Sequence, residues 1–366
     1  MKQVIIFLLL IFLSCNTGNK TKNKAPETKA INKENTKQVS IKDTLTIKMD
    51  DNIPYPKGNF YRNYVRDKNF SFLVPSDEKI QLYLFDLINK KWEIKSFPME
   101  GPNGIIKYGY YKIFNNSSMA YFPYGINKVL ILDNDKITGK YDFIPNTTLP
   151  FGKKFESFKN SDYLIFPSID MNAFIEFNNF GKKKLMTKVD LKTHKKERIM
   201  DVPDDFYNYH SRTAYDVSPE AVFPNDSTIV FIMRKSPNIY VYNNKTRIQK
   251  KYHYPNEKIH YSQKDINLAH KNTQYMFKKG FYHSIYYDDK HQKYYRLSEF
   301  RDNNDIKKSP FNKVRVDIFD RNFNLLGSND FSGLKANYAF ISDDGLYILS
   351  TKIPDENTLI FYKISI

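Results

Sequence analysis

A pattern of short strands recurs along most of this chain, and no other feature constrains its fold as tightly. Each copy is a brief apolar strand, a loop, and two alternating strands joined by a turn of Asp, Asn, Lys or Gly. Ser71–Val74 precedes Leu82–Asp86, which turns through Asn89-Lys90-Lys91 into Trp92–Phe97. Ala120–Phe122 precedes Val129–Asp133, and Asn134-Asp135 leads into Ile137–Phe143. Tyr163–Phe166 precedes Leu185–Leu191, which turns at Lys192-Thr193-His194 into Lys196–Met200. Ile229–Ile232 precedes Ile239–Tyr242, which turns at Asn243-Asn244-Lys245 into Arg247–Tyr254. Phe281–Tyr287 and Lys293–Glu299 form a further hairpin, and Val314–Phe319 turns at Asp320-Arg321-Asn322 into Leu325–Asp330.

The turn markers Asp86, Asp133, Asp190 and Asn243 stand 47, 57 and 53 residues apart. A period of that size, made of four short strands, is the mark of a β-propeller blade. Alternation at period two, closely spaced turns and no long stretch of helical periodicity make the body all-β. A β-sandwich would alternate equally well, but it does not need an internal period. About 315 residues at roughly 50 per blade give six blades, or seven if the loops are short. Asp43–Lys48 is an isolated strand before the first repeat, and Thr358–Ile366 is a strand at the other end. Pairing these two closes the ring and removes two exposed edges, so a first-to-last strand closure is expected.

Ahead of the repeats, Lys2 opens a charged start, Val4–Leu13 is an apolar run, and Ser14 stands before Cys15, the one cysteine of the chain. The run is too short for a spanning helix, which needs about 20 residues, and suits a secretory signal. The cysteine directly after it fits a bacterial lipobox, with residues 1–14 as signal peptide and Cys15 acylated by palmitate-class chains. Phe12 stands where Leu is usual, and an ordinary signal peptide with a chance cysteine is the alternative. Acylation of Cys15 leaves the body without a thiol, which excludes disulfides and cysteine metal sites there. Residues 15–40 are rich in Lys, Asn and Thr and poor in large apolar residues, which reads as a flexible tether to a body at 41–366. Asn16, Thr17, Gly18 and Asn19 carry no acidic signal for surface display. The expected location is the bacterial cell envelope, lipid-anchored in the outer membrane and facing the periplasm.

The formal net charge is +17, but 47 of the 57 basic residues are Lys and only 10 are Arg. Arg is the residue that reads phosphate and guanine bidentately, so nucleic acid is not expected as a partner. The excess lysine reads as solvated surface, with anionic lipid headgroups or acidic polysaccharide as the other reading.

Three stretches carry a family resemblance: Glu100-Gly101-Pro102-Asn103-Gly104, Ser236-Pro237-Asn238 running on to Asn243, and Phe340–Ile348 with Ser342-Asp343-Asp344-Gly345 inside it. From about Leu45 to the C-terminus the chain resembles the Bacteroidetes lipoproteins grouped as DUF4221, which are similar to six-bladed propellers of the NHL/TolB type. The resemblance implies the propeller fold and the lipoprotein setting; it implies no catalytic residues.

Local chemistry adds few candidates. Pro102-Asn103-Gly104 fits a reverse turn, with a ligand-binding loop at the propeller mouth as the alternative for Asn103. Asp343-Asp344-Gly345 fits a hairpin turn. The histidines are His194, His210, His253, His260, His270, His283 and His291, and no pair has the i, i+4 spacing of a zinc helix. No Gly-x-Ser-x-Gly elbow or phosphate-cradling glycine loop occurs. Asp204–Tyr209 and the following His210-Ser211-Arg212 form a polar, aromatic segment that could overhang the channel, which makes Tyr209, His210 and Arg212 ligand-binding candidates. No catalytic residue, cofactor or metal ligand is singled out. The function expected is a monomeric binding module for an envelope protein, peptide or glycan. The alternative is a propeller hydrolase or lyase with paired carboxylates, and Ca²⁺, in the channel.

Overall fold

The alternating segments assemble into six four-stranded antiparallel sheets, blades I to VI, in a computed structural model of the chain. It describes residues 37–49, 64–66, 69–75, 79–99, 109–115, 117–123, 126–145, 147–148, 157–170, 183–206, 219–256, 258–259, 280–301, 313–352, 354–355 and 357–366. No α-helix occurs among them. Cys15, Asn103, Tyr209, His210 and Arg212 lie outside the described residues, as do His260 and His270.

Blade I holds Tyr64–Arg66, Asn69–Pro75, Lys79–Asp86 and Lys91–Pro98, paired in that order, and blade II holds Gly109–Asn115, Ser118–Pro123, Lys128–Asp133 and Lys136–Asp142. Blade III is Phe158–Lys159, Tyr163–Pro167, Lys184–Asp190 and Lys196–Asp201; blade IV is Glu220–Asn225, Thr228–Ile232, Asn238–Asn243 and Gln249–His253. Blade V unites the two hairpins Gly280–Asp288 with Lys293–Phe300 and Lys313–Asp320 with Leu325–Ser332. Blade VI takes Leu334–Ser342, Gly345–Ser350 and Thr358–Ser365 from the C-terminus and Ser40–Lys48 from the N-terminus, with Leu45 opposite Phe361. First-to-last closure is therefore present, and the blade count is six.

Apolar residues lie on both faces of each middle strand, which is why those strands read as unbroken hydrophobic runs. In blade II, Tyr121, Leu130 and Leu132 pack on Leu82 and Phe97 of blade I, while the alternate residues Phe122, Val129 and Ile131 pack on Leu164 and Phe166 of blade III. Equivalent cores join III to IV, IV to V, V to VI and VI to I, so six seams close the circle. First strands of neighbouring blades approach one another and form the inner wall. The outermost strand of blade I is largely exposed and carries Lys91 and Lys95, as that of blade II carries Lys136 and Lys140. Such charges guard an edge against pairing with another chain and account for part of the lysine excess.

Connections sort by face. Links between the first and second strands, and between the third and fourth, are short, and in blades I, III, IV and V the third-to-fourth link is an Asx turn. Asp86 Oδ1 accepts from the Ile88 and Asn89 amides, Asp190 Oδ1 from Lys192 and Thr193, Asn243 Oδ1 from Lys245 and Thr246, and Asp320 Oδ1 from Asn322 and Asn324. Three of the four repeat markers read from the sequence, Asp86, Asp190 and Asn243, thus hold the turns. At the opposite ends of the strands lie the longer links, and the segments containing Asn103 and Tyr209–Arg212 join strands there. We call these the turn face and the loop face.

The turns between the third and fourth strands of blades II to V each carry a left-handed residue that reaches the preceding blade. Asp135 (φ 64°) meets Lys95 at 3.3 Å, the His194 ring (φ 58°) lies 5.0 Å from Tyr141, Arg247 (φ 62°) forks onto Glu197 at 2.9 Å, and Phe323 (φ 61°) lies 4.7 Å from Tyr252. A non-glycine residue in this region costs about 1–2 kcal/mol, so the contact across the seam offsets the strain. Blade VI has no such turn, because its third and fourth strands come from opposite ends of the chain. Lys37–Val39 does that work instead: the Lys37 amide donates to Leu326 O (2.9 Å), Asn329 Nδ2 donates to Val39 O (2.7 Å), and Val39 is fully buried in the V–VI core. A Cβ on Gly327 would lie 2.6 Å from Lys37 O, so glycine is needed where the chain passes. Ordered contacts therefore begin before residue 41, inside the stretch expected as tether.

Val39→Ala should lower stability by about 2 kcal/mol, read as a fall in the urea midpoint with the slope unchanged; an unaltered midpoint would remove Val39 from the closure.

Candidate functional site

Among the described residues, buried charge is confined to one sector. Asp205, Glu220, Arg234, Lys235, Asp288, Arg296 and Asp317 are the buried charged side chains, and all come from the end of blade III to blade V. Most of them gather toward the loop face. Glu220 opens the first strand of blade IV, Arg234 follows its second strand, and the two approach to 3.9 Å, with the Arg234 guanidinium 5.3 Å over the Phe281 ring.

Asp205, just past blade III, organises the III–IV seam. Its Oδ2 accepts from Asn238 Nδ2 at 2.5 Å and Lys251 Nζ at 3.3 Å, and its Oδ1 accepts from Tyr240 OH at 3.0 Å. Ser236 Oγ lies 2.7 Å from the same phenol. Burial raises the Tyr240 pKa and the Asp205 charge raises it further, so the phenol stays protonated and donating. The chain of constraint continues outward. Because Asn238 gives its amide hydrogen to Asp205, its Oδ1 faces His253 Nδ1 at 2.7 Å, and that nitrogen must carry the proton. Burial lowers the His253 pKa; the Asp205 charge opposes that shift, and Arg296 and Lys251 add to it, with a net lowering. The imidazole is neutral at pH 7, leaving Nε2 as an acceptor on a half-exposed ring.

Arg296 carries the network into blade V. It and Asp317 are cross-strand partners, with Nε and Nη2 on Asp317 Oδ2 at 3.1 and 2.8 Å. The rest of the guanidinium crosses the seam, Nη1 to Pro237 O at 2.9 Å and Nη2 to Tyr254 O at 3.0 Å, and it lies 4.5 Å over the Tyr282 ring. Pro237 and Tyr254 adjoin Asn238 and His253, so one hydrogen-bonded system runs from blade III to blade V. Asp317 Oδ1 also accepts from Arg315 Nε at 2.9 Å and Ser328 Oγ at 2.7 Å. Burial opposes its ionisation, but Arg296, Arg315 and these hydrogen bonds outweigh it and hold the carboxyl below the usual range.

Both carboxylates of the network are saturated by donors, which suits a rigid frame rather than proton transfer. The half-exposed His253 and Lys251 are what the frame presents on its surface. Among the described residues no group of three or more His, Cys, Asp or Glu side chains is placed to hold a metal ion. The other described histidines serve packing: His283 Nε2 meets Asn337 Oδ1 between the inner strands of blades V and VI, and His291 Nδ1 meets Asp288 Oδ2 at 2.8 Å. Asp343-Asp344 forms the expected hairpin turn, with Gly345 at φ 136°. Ser236-Pro237-Asn238, which carried family resemblance in the sequence, contributes two network side chains, and the polar segment Asp204–Tyr209 contributes Asp205.

Residues 36–330 match the family model described as domain of unknown function DUF4221. The chain belongs to the DUF4221 family. A crystal structure of a DUF4221 member from Bacteroides vulgatus is similar, at TM-score 0.72 and 16% identity, over 91% of this chain and 99% of that one. A Bacteroides fragilis protein named as exported is similar at TM-score 0.57 and 11% identity, over 93% of this chain and 98% of that one. At these identities the likeness is one of fold, a six-bladed propeller. No curated protein matches the sequence.

Asp317→Asn should lower stability by about 3–5 kcal/mol, because it strands Arg296 in the seam. The folded pKa of Asp317 is depressed, so the pair's stabilisation is complete above about pH 5 and is lost as pH falls through the folded pKa. Acid unfolding of Asp317→Asn should accordingly be shallower than wild type below about pH 5; parallel acid limbs would contradict that assignment.

Proposed function

We propose that this DUF4221 protein is a lipid-anchored binding module of the bacterial cell envelope that holds a ligand on the loop face of its propeller, over blades III to V. The observation that carries this reading is the saturated Asp205–Asn238–His253 relay, which fixes a neutral imidazole acceptor beside the Lys251 ammonium. A site whose orienting groups are held rigidly is suited to recognition. Asn103, Tyr209, His210 and Arg212 belong to links between strand ends of that same face and are proposed to complete the contact.

Anchoring through acylated Cys15, in the outer membrane and facing the periplasm, is part of the proposal. It is supported by the N-terminal run to Cys15 and by the direction of the closing strand. Ser40 starts opposite Ser365 on the turn face, so the closing strand begins on the face opposite the loop face. The Bacteroides fragilis structural neighbour named as exported is consistent with the same compartment. The ligand classes this surface suits are an envelope protein, a peptide or a glycan, met by a monomer.

Two measurements test the proposal. Labelled palmitate should enter the wild type and not Cys15→Ala, which should leave the membrane fraction; membrane sedimentation of the processed Cys15→Ala protein would end the anchoring claim. Captures from envelope extract should be compared between wild type and the variant His253→Ala/Lys251→Met. Loss of a bound component by about tenfold or more, equal to 1.4 kcal/mol, is expected. Equal capture by a variant with an unchanged melting transition would remove the relay from recognition.

A further inference from the structure

A second concave surface lies on the turn face, between blades IV and V, and it differs from the three seams that precede it in the chain. At I–II the rim is closed by Lys95 and Asp135, at II–III by Lys159 and Asp133 at 3.9 Å, and at III–IV by the fork of Arg247 on Glu197. At IV–V the charged residues lining the groove are Lys250 and Arg321, both exposed cations, and the Asp289 carboxylate stands just outside the lining, beside the Tyr287 hydroxyl. No carboxylate among the described residues pairs with either, and the seam stands open as a groove of about 760 Å³ with no Asp or Glu in its lining.

The floor of this groove is a row of four rings. Tyr252 lies 4.7 Å from Phe323, Phe323 stacks on Tyr294 at 4.6 Å, and Tyr294 lies 4.8 Å from Tyr287. The middle pair is buried, whereas Tyr252 and Tyr287 at the ends are half-exposed and offer two ring surfaces. Phe323 holds the row together from a left-handed backbone position, a costly conformation for an aromatic residue. Asn243 also lines the groove; its Oδ1 is used by the turn, which leaves its Nδ2 hydrogens for a ligand.

We propose that this groove binds an acidic oligosaccharide, a chain of sugar rings bearing carboxylates. Ring faces of the sugar would lie on Tyr252 and Tyr287, its hydroxyls would meet the Asn243 amide and the polar rim, and its carboxylates would meet Lys250 and Arg321. An aromatic floor with amide and hydroxyl partners suits sugar rings, whereas an acidic peptide would need pockets for its side chains. The unpaired cations supply the charge complementarity, and a bidentate Arg–carboxylate contact is the strongest single interaction available. The site is separate from the loop-face relay, so either can fail without the other.

Calorimetric titration of the full chain in detergent tests this, with oligogalacturonate, oligoalginate and a hyaluronan tetrasaccharide as probes. Cellotetraose serves as the neutral control and hexaglutamate as the peptide control. At least one acidic sugar is expected to bind with a Kd of about 1 mM or tighter. Cellotetraose should bind about tenfold more weakly, and Lys250→Glu/Arg321→Glu should lose about tenfold in acidic-sugar affinity. Both substitutions are on exposed side chains, so the fold should be kept, which an unchanged melting transition confirms. The proposal is overturned if none of the three acidic sugars binds, if the charge-reversed variant binds them as the wild type does, or if hexaglutamate binds more tightly than all of them.

Discussion

Both faces of every blade are apolar, and a sheet of four short strands cannot cover itself. A middle strand such as Val129–Leu132 buries alternate side chains against two different neighbours, so no blade is stable without one on each side. Burial at about 25 cal/mol per Å² can then be realised only by an arrangement without ends, which is a closed ring. The last gap is filled by Ser40–Lys48, which binds the first-made part of the chain to the last-made. Lys37–Val39 extends this closure onto blade V and replaces the turn contact that a chain with two ends lacks there.

Within the ring, the seams are held by different chemistry. The VI–I seam is aromatic, with Phe70 among Phe72, Phe340 and Phe361 at ring distances of 5.5–6.2 Å. From III to V, hydrogen-bonded charges replace part of that apolar filling. A buried ion pair such as Arg296–Asp317 adds little stability over a well-packed apolar pair of the same volume, because its desolvation is costly. Its return is geometric: Arg296 fixes the two carbonyls that neighbour Asn238 and His253. That asymmetry among the described residues sets the sector from blade III to blade V apart from the rest of the ring.

The strand plan was legible because period-two alternation and Asx turns are local. Asp86, Asp190, Asn243 and Asp320 act through amides two to four residues away, so their spacing exposes the blades directly. Harder to read were the inner strands, such as Phe158–Lys159, which are short, and blade V, whose two hairpins are separated by a long link. Less still of the candidate site was visible. Asp205, Asn238, His253 and Arg296 are ordinary residues in four separate segments, and only Asp204–Tyr209, which holds Asp205, and Ser236-Pro237-Asn238 stood out in the sequence.

The amino-acid sequence alone determined the all-β character, the repeat, the turn positions and the pairing of the two terminal strands, since each follows from alternation, turn chemistry and the need to cover edges. It also set the N-terminal run to Cys15, on which the proposed anchoring rests. Tertiary structure decided the number of blades, the sorting of connections onto two faces, and which polar residues meet. Those outcomes depend on side chains far apart in the chain, and a hydrogen bond such as that between Asn238 and Asp205 exists only once two separate blades have been brought to one seam.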